Sequence, residues 1–323
     1  MKLYPLTDIK PGFQIGSFKV IELCEDGRGG MSQVVKAIPL SGKQVEVALK
    51  ISRTGDKQEY FFAALQKEVE ILQKLNHPGV VRLVPVSQGK NPYKERAVEI
   101  IGSPWFFGME YLHGGSLDNY IDRFGPLTME ETAAICFQVS AALVYIHVEG
   151  FSHNDLKPEN VLFRHMLQPG KRLEPVLIDF GVAVKLVKHQ PDGSVVYMSP
   201  ERLQEIRELG EHAMLDEQVL MKADVWSMGV LLYRMLAGRE PFLGVTDRSI
   251  TTAIRRASPE SIRSKRSDVP EEMDKFVIEG CLAKRPEERV SMQEFHEFIG
   301  SYTHDWRMKR ALRRKRRLFR FWR

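Results

Sequence analysis

An α+β chain in two lobes is what this sequence predicts: a β-rich N-terminal lobe with one main helix, followed by a larger and mostly helical C-terminal lobe. Three observations carry that expectation. Apolar and polar residues alternate around glycines in "FKVIELCEDGRGGMSQVVKAIP" and "KQVEVALKIS", the period of half-buried strands. A single early stretch, "YFFAALQKEVEILQKL", changes to helical spacing. From "GGSLDNYI" onward the helical period dominates.

Taken in order, the first stretch reads as a strand, a Gly-rich turn and a second strand, and "VALKIS" as a third. The helix that follows carries Phe61, Leu65, Val69 and Leu72 on one face, and "NHPG" stops it, because His77 precedes a proline and Gly79 follows. "VVRLVPVSQ" and "PWFFGMEYL" read as two more strands. "LHGGS", near residue 112, has the glycines of a hinge between lobes. Beyond it, "VWSMGVLLYRMLAG" is the longest apolar stretch, interrupted by Ser227 and Arg234 and shorter than the ~20 residues of a membrane helix, so it reads as a buried helix. "RHMLQPGKRLEP" reads as a long hairpin turning at Pro169 and Gly170.

Composition sets the surroundings. A hydrophobic share of 43% and a charged share of 28% are those of a globular protein. Cys24, Cys136 and Cys281 are too few and too scattered for a disulfide framework, and the N-terminus lacks the apolar core of a signal peptide, so a cytoplasmic location is expected. The net charge of +5 is uneven. Residues 307–323 hold ten Lys or Arg and no acid, which leaves −5 on the rest of the chain.

Several short stretches carry chemistry. "DGRGGMSQV" fits G-x-G-x-x-S-x-V with Gly27, Gly29 and Ser32, and glycines let backbone amides approach phosphate oxygens. An ordinary tight turn explains it equally well. Lys50 ends "VALK" among Ala48, Leu49 and Ile51, so its stem is enclosed on a strand. "HNDLKPEN" sets Asp155 five residues before Asn160 with Lys157 between, and "VLIDFG" sets Asp179 after a strand. "GSVVYMSPE" closes at Glu201, and "KADVWSMG" follows. Singly, an Asp or Asn in a loop is a turn or capping residue. That reading leaves the joint order of these stretches unexplained.

In that order the stretches resemble the protein kinase family, over roughly residues 14–299. The resemblance implies the bilobal protein kinase fold, with 1–13 an N-terminal extension, 14–111 the N-lobe, 112–299 the C-lobe and 300–323 a basic amphipathic tail. It implies ATP and Mg²⁺ as cofactors and transfer of the γ-phosphoryl group to Ser or Thr of protein substrates. Under it Lys50 holds the α and β phosphates. Glu68, taken over Glu70 for its spacing to "NHPG" and because it lies one turn before Leu72 on the lobe-facing side, orients Lys50 by an ion pair. Asp179 and Asn160 take Mg²⁺, Asp155 receives or orients the substrate hydroxyl proton, and Lys157 steadies the γ phosphate. Gly27, Gly29 and Ser32 form the phosphate loop. Val34, Ala48 and Leu162 enclose the adenine, backbone groups of Glu110 and Leu112 read its edge, and Met109 stands behind. The resemblance also gives Asp224 the bracing of the catalytic loop, Arg289 a pairing with Glu201, and His153 a structural part. Asp26 departs from the pattern, standing where an apolar residue commonly roofs the site. "DLKPEN", Ser194 and "GGMS" resemble Ser/Thr kinases, the last of them bacterial ones. A pseudokinase scaffold or nucleotide sensor, and a small-molecule kinase, are the competing readings. The full set of phosphoryl-transfer residues opposes the first; "YMSPE" and "DVWSMG" oppose the second.

Asn154 stands where many relatives carry an arginine that binds a phosphorylated activation loop. The corresponding segment, "GVAVKLVKHQPDG", contains no Ser, Thr or Tyr, so phosphorylation there is not expected to be the switch. Control then falls to the helix bearing Glu68 or to the lobes together, with homodimerisation or a membrane-linked signal as the candidates. Residues 205–216 form an insertion that is either a helical surface elaboration or a partner contact. In the tail, Met308, Ala311, Leu312, Leu318, Phe319 and Trp322 share a helical face broken by Lys315. That pattern suits an anionic membrane surface at the inner face, nucleic acid, or a solvated tail.

Overall fold

The computed structural model describes residues 3–28, 31–166, 173–180, 194–209 and 216–303. The chain divides into two compact units. One joins Met1–Gly114 with Arg164–Met166 and Val176–Val184; the other joins Gly115–Phe163, Leu167–Pro175 and Lys185–Arg323. The stretch "DF" at 179–180 therefore belongs to the first unit, although it follows "HNDLKPEN", which belongs to the second, in sequence.

The first unit is built on an antiparallel sheet. Its strands are β1 (Gln14–Ile15), β2 (Phe18–Arg28), β3 (Ser32–Pro39), β4 (Val47–Ser52), β5 (Leu83–Val84), β6 (Lys94–Arg96) and β7 (Trp105–Glu110). They run β1-β2-β3-β4-β7-β5, with β6 on β7. β4 is central, and all six of its residues are buried, so the run "VALKIS" needs no alternation. Pairing of β2 with β3 slips between Leu23 and Arg28, which opens the hairpin just before its Gly-rich turn. The core holds Ile15, Val20, Val35, Leu49, Ile51 and Phe106. It also takes in Ile9, and Tyr4 bonds Glu99 and Ile101 through the backbone, so the segment expected as an extension is built into this unit.

Two expectations need correcting here. "VVRLVPVSQ" shrinks to the two residues of β5, because Pro85 has no amide to donate to a ladder. The charged strand β6 has no apolar pattern to announce it; Lys94 and Arg96 instead lay their cations over the Trp105 ring. The helix α1 (Gln58–Leu72) forms as its period requires, burying Phe62, Leu65, Glu68, Val69, Ile71 and Leu72, while Phe61 is only half-buried.

The second unit is helical: α2 (Leu117–Phe124), α3 (Met129–Val148), α4 (Pro200–Leu209), α5 (Glu217–Ala237), α6 (Asp247–Arg256) and α7 (Glu271–Lys275). Capping boxes start α2 at Ser116 with Asn119, and α3 at Thr128 with Glu131. α5 ends on Gly238 with a left-handed backbone (φ 71°). Its residues Ala223–Tyr233 are all buried, as the apolar run implies. By length and composition α3 also qualifies as a membrane span, but it buries residues from Thr132 to Ile146 within its own unit and contacts α5, the behaviour of a core helix.

Candidate active site

The first unit assembles three charged side chains from three elements. Lys50 on β4, Glu68 on α1 and Asp179 after the strand β9 (Pro175–Leu177) converge on one ammonium. Lys50 Nζ donates to Glu68 Oε1 and Oε2 at 2.8 and 2.7 Å, and to Asp179 Oδ1 at 3.1 Å. Glu68 is 2% exposed, and Glu70, two residues on, is exposed and meets only Lys67. Helical geometry makes that choice, since residues two apart lie on different faces. Burial works against the Lys50 ammonium, but Asp179 and Glu68 outweigh it and hold its pKa above the usual lysine range. Burial likewise pushes the Glu68 carboxyl up, against the pull of Lys50.

Asp179 has a left-handed backbone (φ 65°), one of few such non-glycine positions among the described residues. The turn lets the next amide, Phe180 N–H, donate to Glu68 Oε1 at 3.3 Å, and buries the Phe180 ring. Around this centre Val34 lies opposite Lys50 in the register, and Ala48 opposite Met109. Ala48, Met109 and Leu112 are buried, and Val34 is half-buried. The Glu110 amide donates to the Arg82 carbonyl, while its carboxylate is held by Arg82 and by Arg164, whose other arm donates to the Pro78 carbonyl. Ser32 opens β3, and Gly27 lies near the end of β2; Gly29 is outside the described residues.

The second unit carries the loop "HNDLKPEN". Asn160 Nδ2 donates to the Asp155 carbonyl at 2.7 Å and to Asp155 Oδ2 at 2.9 Å, and Lys157 Nζ lies 3.2 Å from the same Oδ2. Asp155, Lys157 and Asn160 thus form one hydrogen-bonded cluster. Leu162 follows on the strand β8 (Val161–Phe163) and is half-buried. The loop hangs on Asp224 of α5, which is 0% exposed. Its carboxylate accepts from the backbone amides of His153 and Asn154, both at 2.8 Å, and meets His147 Nε2 at 2.9 Å. Burial works against this carboxylate's charge, but His147, His153 and the Asn154 amide outweigh it and hold its pKa below the usual aspartate range. His147, on α3, is the partner that sequence reasoning missed. It follows "AALVYI" with nothing to mark it, and only the packing of α3 on α5 brings it to Asp224.

Asn154 also has a left-handed backbone (φ 63°), which asparagine adopts more readily than most residues. Its amide nitrogen donates to Ser152 Oγ at 2.8 Å, and its Oδ1 is buried without a protein partner. Arg289 grips Glu201 through two bonds of 2.6 Å and is 2% exposed. Tyr197 is buried; its hydroxyl accepts from Arg234 at 2.8 Å, and its carbonyl accepts from Ser227 Oγ at 2.8 Å. The segment 181–193, the hairpin turn at Pro169 and Gly170, part of the 205–216 insertion and the tail 307–323 lie outside the described residues.

Comparison with known proteins gives this chain a family and a fold. The profile of the family described as protein kinase domain matches residues 23–299. The serine/threonine-protein kinase PknD of Mycobacterium tuberculosis is 30% identical over 296 residues, covering 88% of this chain and 39% of PknD. The serine/threonine-protein kinase RAD53 of Saccharomyces cerevisiae is 31% identical over 299 residues, covering 85% of this chain and 32% of RAD53. A crystal structure of Rad53 1-466 in complex with AMP-PNP superposes with a TM-score of 0.65 at 29% identity, over 87% of this chain and 64% of that one. The chain belongs to the protein kinase family, among its eukaryotic-like serine/threonine members, and has the kinase fold. It spans about two fifths of the length of PknD, and less of RAD53.

Proposed function

We propose that this chain is an active protein kinase that transfers the γ-phosphoryl group of ATP, with Mg²⁺, to Ser or Thr of protein substrates. The observation that carries the reading is the buried Lys50 ammonium held between Glu68 and Asp179. An ammonium fixed by two carboxylates is a ready point charge for phosphate oxygens, and holding it costs nothing further at the moment of reaction. Fixing Lys50 is the part played by Glu68. Asp179 of the first unit offers one carboxylate to a cation, and Asn160, in the second unit, carries an amide oxygen, a donor of the same kind. Mg²⁺ keeps several waters and takes one or two carboxylates beside its phosphates. When bound, the ion would neutralise charge on the transferring group.

Asp155 is the group to orient a hydroxyl and take its proton. Asn160 and Lys157 fix its carboxylate, and its loop is anchored on Asp224. In the first unit Ala48, Val34, Met109 and Leu112 supply apolar surface for a base, and Gly27, Gly29 and Ser32 belong to the phosphate loop; Leu162 is the apolar residue the second unit offers. We further infer that phosphorylation between residues 181 and 193 is not the switch. The sequence there has no acceptor, and Asn154 is a neutral side chain bonded to Ser152. Tyr197 is enclosed with Arg234. The tail 307–323 is read as a contact to anionic membrane surface, and flotation with anionic vesicles before and after its removal tests that.

The deciding experiment is transfer from labelled ATP to a generic basic protein with Mg²⁺, by the wild type, Asp179→Asn and Asp155→Asn. Transfer by the wild type that both variants lose supports the reading. Intact ATP binding without transfer, in every condition including added vesicles and partners, overturns it in favour of a nucleotide-binding scaffold.

A further inference from the structure

Between α4 and α6 of the second unit lies a cavity of about 580 Å³; no residue that lines it has a phosphoryl-transfer role above, and Arg207 belongs to the 205–216 insertion. Arg207 of α4 and Arg248, Arg255 and Arg256 of α6 line it, with Thr251 and Thr252 on the same side as the last three. Spacing explains the concentration of charge. Positions 248, 251, 252 and 255 recur at three, four and seven residues, so they share one face of α6. Arg207 follows Leu203, the one apolar residue of the lining, by one turn of α4. Among the described residues no carboxylate lines the cavity.

What sets these arginines apart is that four of them line one hollow without a counter-charge in it. Elsewhere Arg82, Arg164, Arg234, Arg239, Arg266 and Arg289 each hold a carboxylate. Among the described residues, Arg207, Arg248, Arg255 and Arg256 make no ion pair. Four like charges around one concavity repel one another unless an anion joins them, and guanidinium forks match the planar or tetrahedral oxygens of carboxylate and phosphate. The volume lies in the range of binding pockets. A membrane surface is flat and does not enter a concavity between two helices. The chain's own tail has the wrong sign, with ten basic residues and no acid in 307–323.

We propose that this cavity is a docking site for an acidic segment of a protein substrate, one carrying clustered Asp and Glu or phosphorylated residues, distinct from the residues that transfer phosphate. The inference rests on the kinase reading for its kinetic arm only; its binding arm stands alone. In the full chain, anisotropy of labelled peptides is compared: an Asp/Glu-rich peptide, its phosphoserine counterpart and a neutral Ser/Gln control, with wild type, Arg248→Gln/Arg255→Gln and Arg248→Glu/Arg255→Glu. The basic tail is common to all three proteins, so its own attraction cancels in the comparison.

The acidic or phosphorylated peptide binds the wild type, the control does not, and affinity falls about tenfold in the Gln variant and further in the Glu variant, the loss of one or two charge-assisted bonds. In the kinetic arm, KM for an acceptor joined to the acidic segment rises by a similar factor, while KM for ATP and turnover of the unjoined acceptor stay as they were. Equal binding by wild type and both variants overturns the site, as does a loss only for an oligonucleotide or anionic vesicles with no peptide binding. Absence of all transfer with peptide binding intact removes the kinase reading and leaves the site standing. An unchanged melting temperature in the Gln variant shows that its effect is not unfolding.

Discussion

The two units hold their charged groups in opposite ways. In the first, Lys50, Glu68 and Asp179 come from three elements spread over 129 residues, and the cluster exists only because β4, α1 and the turn after β9 pack together. In the second, Asp155, Lys157 and Asn160 lie within one short loop, and Asp224, distant in sequence, anchors it. The first arrangement can be opened by moving α1. The second is set by local chain geometry plus one buried carboxylate. A control that acts on α1 therefore reaches Lys50 while leaving the Asp155 loop assembled.

The sharpest way to break this comparison is to remove one chemical group from each side. Asp155→Asn is expected to slow transfer by about 10²–10⁴-fold, the range for losing a general base, with the fold intact by circular dichroism. Glu68→Gln is expected to lower turnover comparably while leaving peptide KM unchanged, whereas Glu70→Gln, at an exposed position, stays within about 0.5 kcal/mol in stability and keeps activity. Equal effects at 68 and 70 would defeat the assignment.

Next in size come the buried anchors of the second unit. Glu201→Gln leaves Arg289 enclosed without its counter-charge and should cost about 3–5 kcal/mol in denaturant unfolding. Asp224→Asn keeps one acceptor oxygen and turns the other into a donor, so it strands one of the His153 and Asn154 amides and should cost about 1–3 kcal/mol, with slower transfer as the loop loosens. Its pH signature has a definite sign. The folded pKa of Asp224 lies below the unfolded value of about 3.9, so its contribution is complete well above that value and is lost as pH falls through the folded pKa. The difference in melting temperature between wild type and Asp224→Asn should hold constant above about pH 5 and close below about pH 4. The smallest effect concerns Asn154. Asn154→Ala places a Cβ without a compensating side chain at φ 63° and should cost about 1 kcal/mol, while Asn154→Gly costs less; the order of the two melting temperatures checks it.

The sequence by itself determined the α+β class, the Asp155 cluster and the identity of the charged groups. Each depends on local rules: strand alternation, helical period, capping boxes and fixed spacing within a loop. It also pointed to Glu68, by motif spacing and by its place one turn before Leu72 on the same face of α1, and the packed helix buries both residues. Tertiary structure alone decided the rest. His147 joins Asp224 because α3 lies on α5, and no pattern in "YIHVEG" encodes that partner. β6 forms because its cations cover Trp105, against every apolar rule for a strand. The four arginines of the α4–α6 cavity read in sequence as scattered surface charge. They become one field only because two helices distant along the chain bring them around the same hollow, where charges without partners remain to be matched.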